Sequence, residues 1–143
     1  MNLIQQGVCM EKIKEVYVVL ENKPGTAGKM TRILKKNRIA IYAIAMFFDF
    51  ARMYVNHPEK AEKVLSEHGY QVELRDVLRV ILPNKIGALM EVTTKLGNAG
   101  INIDYLYGAL QEKQKRGVVI LEVDDTDLAL DLFRNHRFFT EDK

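Results

Sequence analysis

Apolar positions along the chain fall into short blocks whose period changes in a regular order. Val16 to Glu21 is a run of β-branched and aromatic residues that predicts a strand, and Val77 to Leu82 predicts another. After a glycine-containing turn the apolar residues become spaced by three and four. Ala27, Met30, Ile33 and Leu34 define one helix face, and Leu89, Val92, Leu96 and Ala99 define a second. Arg38-Ile39-Ala40-Ile41 and Gly100-Ile101-Asn102-Ile103 then open a second strand, with Gly100 suited to a helix end that needs positive φ. A third strand is predicted near Ala51 to Val55 and over Val118 to Val123. Pro58 suits the first turn of a following helix and Asp125 can cap its counterpart. The expected apolar faces there are Ala61, Val64 and Leu65, and Ala129, Leu132 and Phe133. Tyr70 to Leu74 predicts a fourth strand, whereas Phe138-Phe139 leaves room for a short one or none.

The order is therefore βαββαβ, twice, and the two copies align residue by residue. Asn22-Lys23-Pro24-Gly25 returns 62 positions on as Asn84-Lys85-Ile86-Gly87 (22 to 84), and the offset holds to Ile39 and Ile41, matched by Ile101 and Ile103. Later it is 68 (55 to 123): Val55, Ala61, Leu65 and His68 match Val123, Ala129, Phe133 and His136. The difference of six reads as a longer loop near Gln111 to Arg116, where an insertion costs little. The expected fold class is α+β: two tandem ferredoxin-like repeats, each an antiparallel sheet with both helices on one face. Residues 1–14 read as an N-terminal extension, 15–75 as the first repeat and 76–143 as the second.

The run Val18-Val19-Leu20-Glu21-Asn22-Lys23-Pro24-Gly25, followed by a helix and Ile39-Ala40-Ile41-Tyr42-Ala43, resembles an ACT domain. Asn84-Lys85-Ile86-Gly87-Ala88-Leu89, leading to Gly100-Ile101-Asn102-Ile103-Asp104, resembles it further. From about Val16 to Phe139 the chain is similar to small stand-alone proteins of two ACT domains. It departs from that pattern at Ala27, at Arg38-Ile39-Ala40 and at Ile86. The resemblance implies a non-enzymatic protein that binds a free amino acid at interfaces between paired domains, near the first strand–helix loops. It also implies a homodimer, and a metabolic enzyme as regulatory partner.

The residues offer a physical reading of such a site. Gly25 and Gly87 let backbone approach a ligand, and a helix N-terminus suits a carboxylate. Asn22 and Asn84 carry donors and acceptors beside the turn. Pro24, Thr26 and Ala27, with Ile86, Ala88 and Leu89, complete the two loops, and Ile41 and Tyr42, or Asn102, Ile103 and Asp104, would form the opposite wall. The same Asn-Lys-x-Gly is also a competent turn, and Lys23 and Lys85 read as solvated turn residues rather than ligands.

Composition narrows the classes. With 21 basic and 19 acidic residues interspersed, the chain lacks the clustered basic excess of a nucleic-acid binder. An RNA-binding reading finds aromatics at Tyr17 and at Phe50 or Tyr54, without the glycine-aromatic signature and without equivalents at Leu78 and Val119-Ile120. No catalytic motif is present, and no cofactor is implied. Cys9 is the one cysteine, excluding an intrachain disulfide. His57, His68 and His136 lack metal-ligand spacing and read as helix-end residues at the negative dipole end. The cluster of Met46, Phe47, Phe48 and Phe50, and the pair Tyr105 and Tyr107, read either as a binding surface or oligomer contact, or as ordinary core or sheet-face packing. No leader-like start and no apolar run of about 18 residues is seen, so a cytoplasmic location without membrane contact is expected. The rival regulatory reading is a subunit of a separate amino-acid biosynthetic enzyme, of the acetolactate-synthase small-subunit kind.

Overall fold

The computed structural model describes residues 9–109 and 111–138. In chain order its elements are β1 (Cys9–Val19), α1 (Thr26–Lys36), β2 (Ile41–Met46), β3 (Phe50–Val55), α2 (Pro58–Glu67), β4 (Val72–Pro83), α3 (Ala88–Asn98), β5 (Ile103–Ala109), β6 (Arg116–Val123) and α4 (Thr126–Phe133). Two compact units result, divided within β1 and within β4. One is built from residues 14–76; the other, among the described residues, from 77–138 together with 9–13.

In the unit of residues 14–76 the strand order is β2-β3-β1-β4, with β3 antiparallel to both neighbours. Alternation along β1 and β3 sends Val16 and Val18, with Leu20 just past the end of β1, and Ala51, Met53 and Val55, to one face. There they meet Met30, Ile33 and Leu34 of α1 and Ala61, Val64 and Leu65 of α2 in one buried cluster. Both helices therefore cover the same face of the sheet. Removing most of one such side chain, Leu34 for instance, costs about 2–5 kcal/mol.

The other unit repeats this plan. Leu78, Val80 and Leu82 of β4 and Val119, Leu121 and Val123 of β6 pack with Val92 and Leu96 of α3 and Ala129 and Phe133 of α4. Its strand order is β1-β4-β6-β5, so residues 9–13 of β1 hold the place that a fourth strand holds in the first unit. Met10 packs on its core, and Glu11 Oε1 accepts from Arg79 Nη1 at 2.8 Å. After α4 the described residues contain only a single bridge at Arg137, with Phe138 buried; Phe139 lies outside the described residues, as do residues 1–8.

The copies match in detail. β2 and β5 each carry an irregularity two residues wide at their start, between Ile41 and Ala43 and between Ile103 and Tyr105. The Ala40 N–H donates to Asn56 Oδ1 at 2.9 Å, and the Asn102 N–H to Asp124 Oδ1 at 3.0 Å. Pro58 stands in the first turn of α2, and Asp125 caps α4 by accepting from the Leu128 N–H at 3.0 Å.

Four expectations need correction. The predicted strands Tyr70 to Leu74 and Val77 to Leu82 merge into one, β4, which starts at Val72 and leaves Tyr70 and Gln71 in the connection before it, because Arg75-Asp76 holds no glycine or proline to break it. Ala27 and Ala99 are exposed, lying at the ends of α1 and α3 where the helix overhangs its core. His57 stands at the N-cap of α2, the positive end of the helix, although His68 does occupy its C-cap. His136 lies beyond α4, where it bonds to Lys95 of α3.

Candidate ligand loop

The β1–α1 connection turns through Gly25, whose φ of 90° only glycine adopts without strain; Gly87 matches it at 91°. A Cβ built at either glycine meets nothing within 4 Å, so both loops face open space. No side chain caps α1 or α3, and α1 has no acidic residue in its first turn. The Thr26 and Ala88 amides donate to the Lys23 and Lys85 carbonyls of their own loops, at 3.4 and 3.2 Å, and the next amides of each first turn face an acceptor from outside.

Beside the first loop lies a cavity of about 400 Å³. Its walls come from the end of β1, the loop, the first turn of α1 and the connection between α2 and β4. Side chains of both charges line it: Glu21 on one hand, Lys23 and Lys29 on the other, with Thr26, His68, Tyr70 and Gln71. Glu21 Oε2 and Lys23 Nζ are 2.7 Å apart. The hydrogen bond and charge of Lys23 hold the Glu21 carboxyl below its ordinary range, and Glu21 in turn raises the ammonium of Lys23. His68 Nδ1 stands 2.8 Å from the Val64 carbonyl oxygen. A carbonyl only accepts, so Nδ1 carries the proton and Nε2 of the neutral ring is an acceptor.

The residues singled out from the sequence are distributed unevenly around this geometry. Asn22, Pro24, Gly25 and Ala27 are exposed and Thr26 is half-buried. Asn84 is different, because its Nδ2 donates to Gln111 O at 2.7 Å and to Gln114 O at 2.9 Å, while its N–H donates to Lys115 O at 2.9 Å. Both amide protons are thus occupied within the protein. Ile86 is fully exposed, Ala88 is buried and Leu89 packs on the core.

Ile41 and Tyr42 begin β2 at the far end of α1, about 16 Å of helix away from Gly25. Ile41 lines a separate cavity of about 420 Å³ with Thr31, Lys35 and Arg38, and Tyr42 leans on Tyr54 with ring centroids 5.4 Å apart. Asn102, Ile103 and Asp104 occupy the corresponding place in the other unit, where Asn102 Nδ2 donates to Asp104 Oδ1 at 3.0 Å. Neither set shares its own unit's loop. Lys29, His68, Tyr70 and Gln71 were not picked out as ligand residues from the sequence. Only the fold brings the α2–β4 connection to the loop, so no local motif marks them.

The sheet face away from the helices carries an aromatic stack. Phe47, Phe50 and Tyr17 follow one another at 4.9 and 5.2 Å, and the Arg75 guanidinium lies 4.1 Å from the Tyr17 ring centroid. Arg52 pairs with the fully buried Glu15 at 3.2 Å, and Arg75 pairs with Glu73. These pairings balance the charge of the face. Among the described residues no group of His, Cys, Asp and Glu stands close enough to hold a metal ion, and no helix is long and apolar enough to cross a membrane.

Two repeats of one βαββαβ plan, each with a glycine-turned strand–helix loop, define the class of protein. Residues 11–143 match the ACT domain pair family, and the chain belongs to that family. A protein from Bacteroides thetaiotaomicron is similar in structure (TM-score 0.79) at 29% identity, covering 87% of this chain and 88% of that one. The ligand-free regulatory subunit of aspartate kinase from Thermus thermophilus shares the fold at TM-score 0.69 and 18% identity, over 94% and 97% of the chains. Aspartokinase III of E. coli, in complex with lysine and aspartate, shares it at TM-score 0.60 and 13% identity, over 89% of this chain and 31% of that. No curated protein matches the sequence significantly.

Proposed function

We propose that this protein is a non-catalytic regulatory sensor of a free amino acid, and that the ligand is held at the β1–α1 loop. Membership of the ACT domain pair family over 11–143 carries the reading. The cavity beside Gly25 supports it, since a zwitterion needs a cation for its carboxylate and an anion for its ammonium, and Lys29 and Glu21 supply them. Binding then stabilises one arrangement of the protein over another, and a partner responds to the difference.

The protein acts in this reading as a homodimer in the cytoplasm. The edge strand β2 supports pairing, because Tyr42, Ile44 and Met46 are exposed along it and Phe47 and Phe48 follow. In a dimer, Ile41 and Tyr42 of one copy are free to complete the loop of another. A second reading, a subunit that controls a separate biosynthetic enzyme, is favoured by the near-complete mutual coverage with the Thermus thermophilus regulatory subunit.

A thermal-shift screen against the twenty L-amino acids at millimolar concentration tests the sensor. A ligand at one hundred times its Kd adds about 2.7 kcal/mol and raises the melting temperature by several degrees. A selective rise supports the sensor. No rise with any of the twenty removes it and leaves the enzyme-bound subunit, to be sought by co-purification.

A further inference from the structure

We infer that the ligand is bound by the first unit alone, one per chain, and that the second unit has converted its equivalent loop into a clamp on the β5–β6 connection. The inference rests on the sensor reading above for its ligand, but not for its clamp.

The two loops share backbone and the lysine at Lys23 and Lys85, but differ at the anion, the hydroxyl and the α1 cation that line the first cavity. At the offset of 62 (22 to 84), Glu21, Thr26 and Lys29 correspond to Pro83, Ala88 and Glu91. The anion has become an imino acid, the hydroxyl a methyl that is 4% exposed, and the cation a carboxylate. At the offset of 68 (55 to 123), Tyr70 corresponds to Phe138, which is buried and has no hydroxyl. His68 corresponds to His136, whose Nδ1 already accepts from Lys95 Nζ at 2.9 Å. A ligand carboxylate approaching Gly87 would meet Glu91 in the first turn of α3, where the first unit offers Lys29.

What replaces the ligand is the inserted loop. The six-residue excess of the second repeat is spread over the β5–β6 hairpin, half of it in longer strands and half in the connection, whose carbonyls at Gln111, Gln114 and Lys115 are the acceptors of the Asn84 side chain and N–H. Lys113 within it takes a positive φ of 67°, a backbone cost repaid by that closure. Asn22, at the equivalent position, is exposed, and its own hairpin has no such excess. The same asparagine thus stays free in one unit and ties down a loop in the other.

Calorimetry on the full chain, with each of the twenty L-amino acids as titrant, reads the ligand half. The expected result is one site per chain, at least about tenfold weaker in Lys29→Glu and Lys29→Gln, and within about twofold of wild type in Asn84→Ala. Two sites per chain, or binding that survives Lys29→Glu and disappears in folded Asn84→Ala, overturns the asymmetry while keeping the sensor. No heat with any amino acid removes the sensor and the asymmetry together. Hydrogen exchange reads the clamp without a ligand: amides of residues 111–116 exchange faster in Asn84→Ala and unchanged in Asn22→Ala. Equal protection in both variants overturns the clamp.

Discussion

Replacing Arg38 by glycine should stabilise the protein, and the structure says by how much. α1, α2 and α3 end in the same way. The residue after the C-cap takes positive φ and donates its N–H to a carbonyl three residues back, and the next N–H donates to a carbonyl five residues back. In α1 these bonds run from Arg38 to Lys35 O and from Ile39 to Leu34 O, both 3.0 Å; in α3 they run from Gly100 to Gly97 O and from Ile101 to Leu96 O, also 3.0 Å. In α2 Gly69 and Tyr70 bond to Ser66 O and Leu65 O. The left-handed residue is glycine in two of them, with φ of 87° and 77°, but in α1 it is Arg38 with φ of 56°. An L-residue with a Cβ pays about 1–2 kcal/mol there. Glycine at that position gives back about 0.4–1 kcal/mol through the freer unfolded chain. The net gain for Arg38→Gly is about 0.5–1 kcal/mol, because the Arg38 side chain is exposed and takes no packing with it. Arg38→Ala, which keeps the Cβ, should stay within about 0.5 kcal/mol of wild type. Gly100→Ala should lose about 1 kcal/mol. Urea unfolding followed by far-ultraviolet circular dichroism measures all three. An Arg38→Gly protein no more stable than Arg38→Ala, with Gly100→Ala tolerated, would refute the reasoning.

Two further outcomes follow from packing and charge. An ideal Cβ on Gly108 lies 2.8 Å from the Val118 carbonyl oxygen and 2.9 Å from Val119 Cγ2, so Gly108→Ala should cost about 1–3 kcal/mol by urea titration, and an unchanged midpoint would contradict that contact. His136 is held below its ordinary pKa of 6.5, first by burial and then by the Lys95 ammonium, with Glu91 opposing. Its neighbours are Lys95 and Glu91 of α3, Phe133 of α4 and Phe138, and its buried Nε2 has no partner. Because the folded ring resists protonation more than the unfolded one, the unfolded chain binds the extra proton first. Stability contributed here is complete above about pH 6.5 and falls as the pH drops from there toward the lower folded value. An NMR titration of His136 should give a midpoint below 6.5 that rises in Lys95→Met; a midpoint at or above 6.5 in the wild type would contradict the contact.

The sequence alone reveals the repeat because its signals are local. The glycine turns, the three-and-four spacing of Met30, Ile33 and Leu34, and the cap at Asp125 each lie within a few residues, and duplication prints them twice. Even the Schellman ending is legible at Gly100 and hidden at Arg38, where the residue type contradicts the backbone it adopts. Features that join distant segments leave no such print. Nothing near Met10 or Glu11 announces that this stretch stands beside β4 in the second unit, because its partner Arg79 is 68 residues on. Asn84 is visible as a turn residue, but its acceptors are backbone carbonyls 27 and 30 residues away, which carry no sequence signal. For the same reason the loop's cavity was only half legible. Gly25 and Thr26 stand in the motif, whereas His68 and Tyr70 arrive from the other end of the unit.

The most direct test of the central claim is a ¹⁵N NMR titration of the full chain with the L-amino acid that gives the largest thermal shift. The account predicts saturable changes concentrated at the amides of Gly25 to Lys29 and of His68 to Gln71, with Gly87 to Glu91 unmoved. Changes centred on Gly87, or confined to the sheet face around Tyr17 and Phe50, would contradict it.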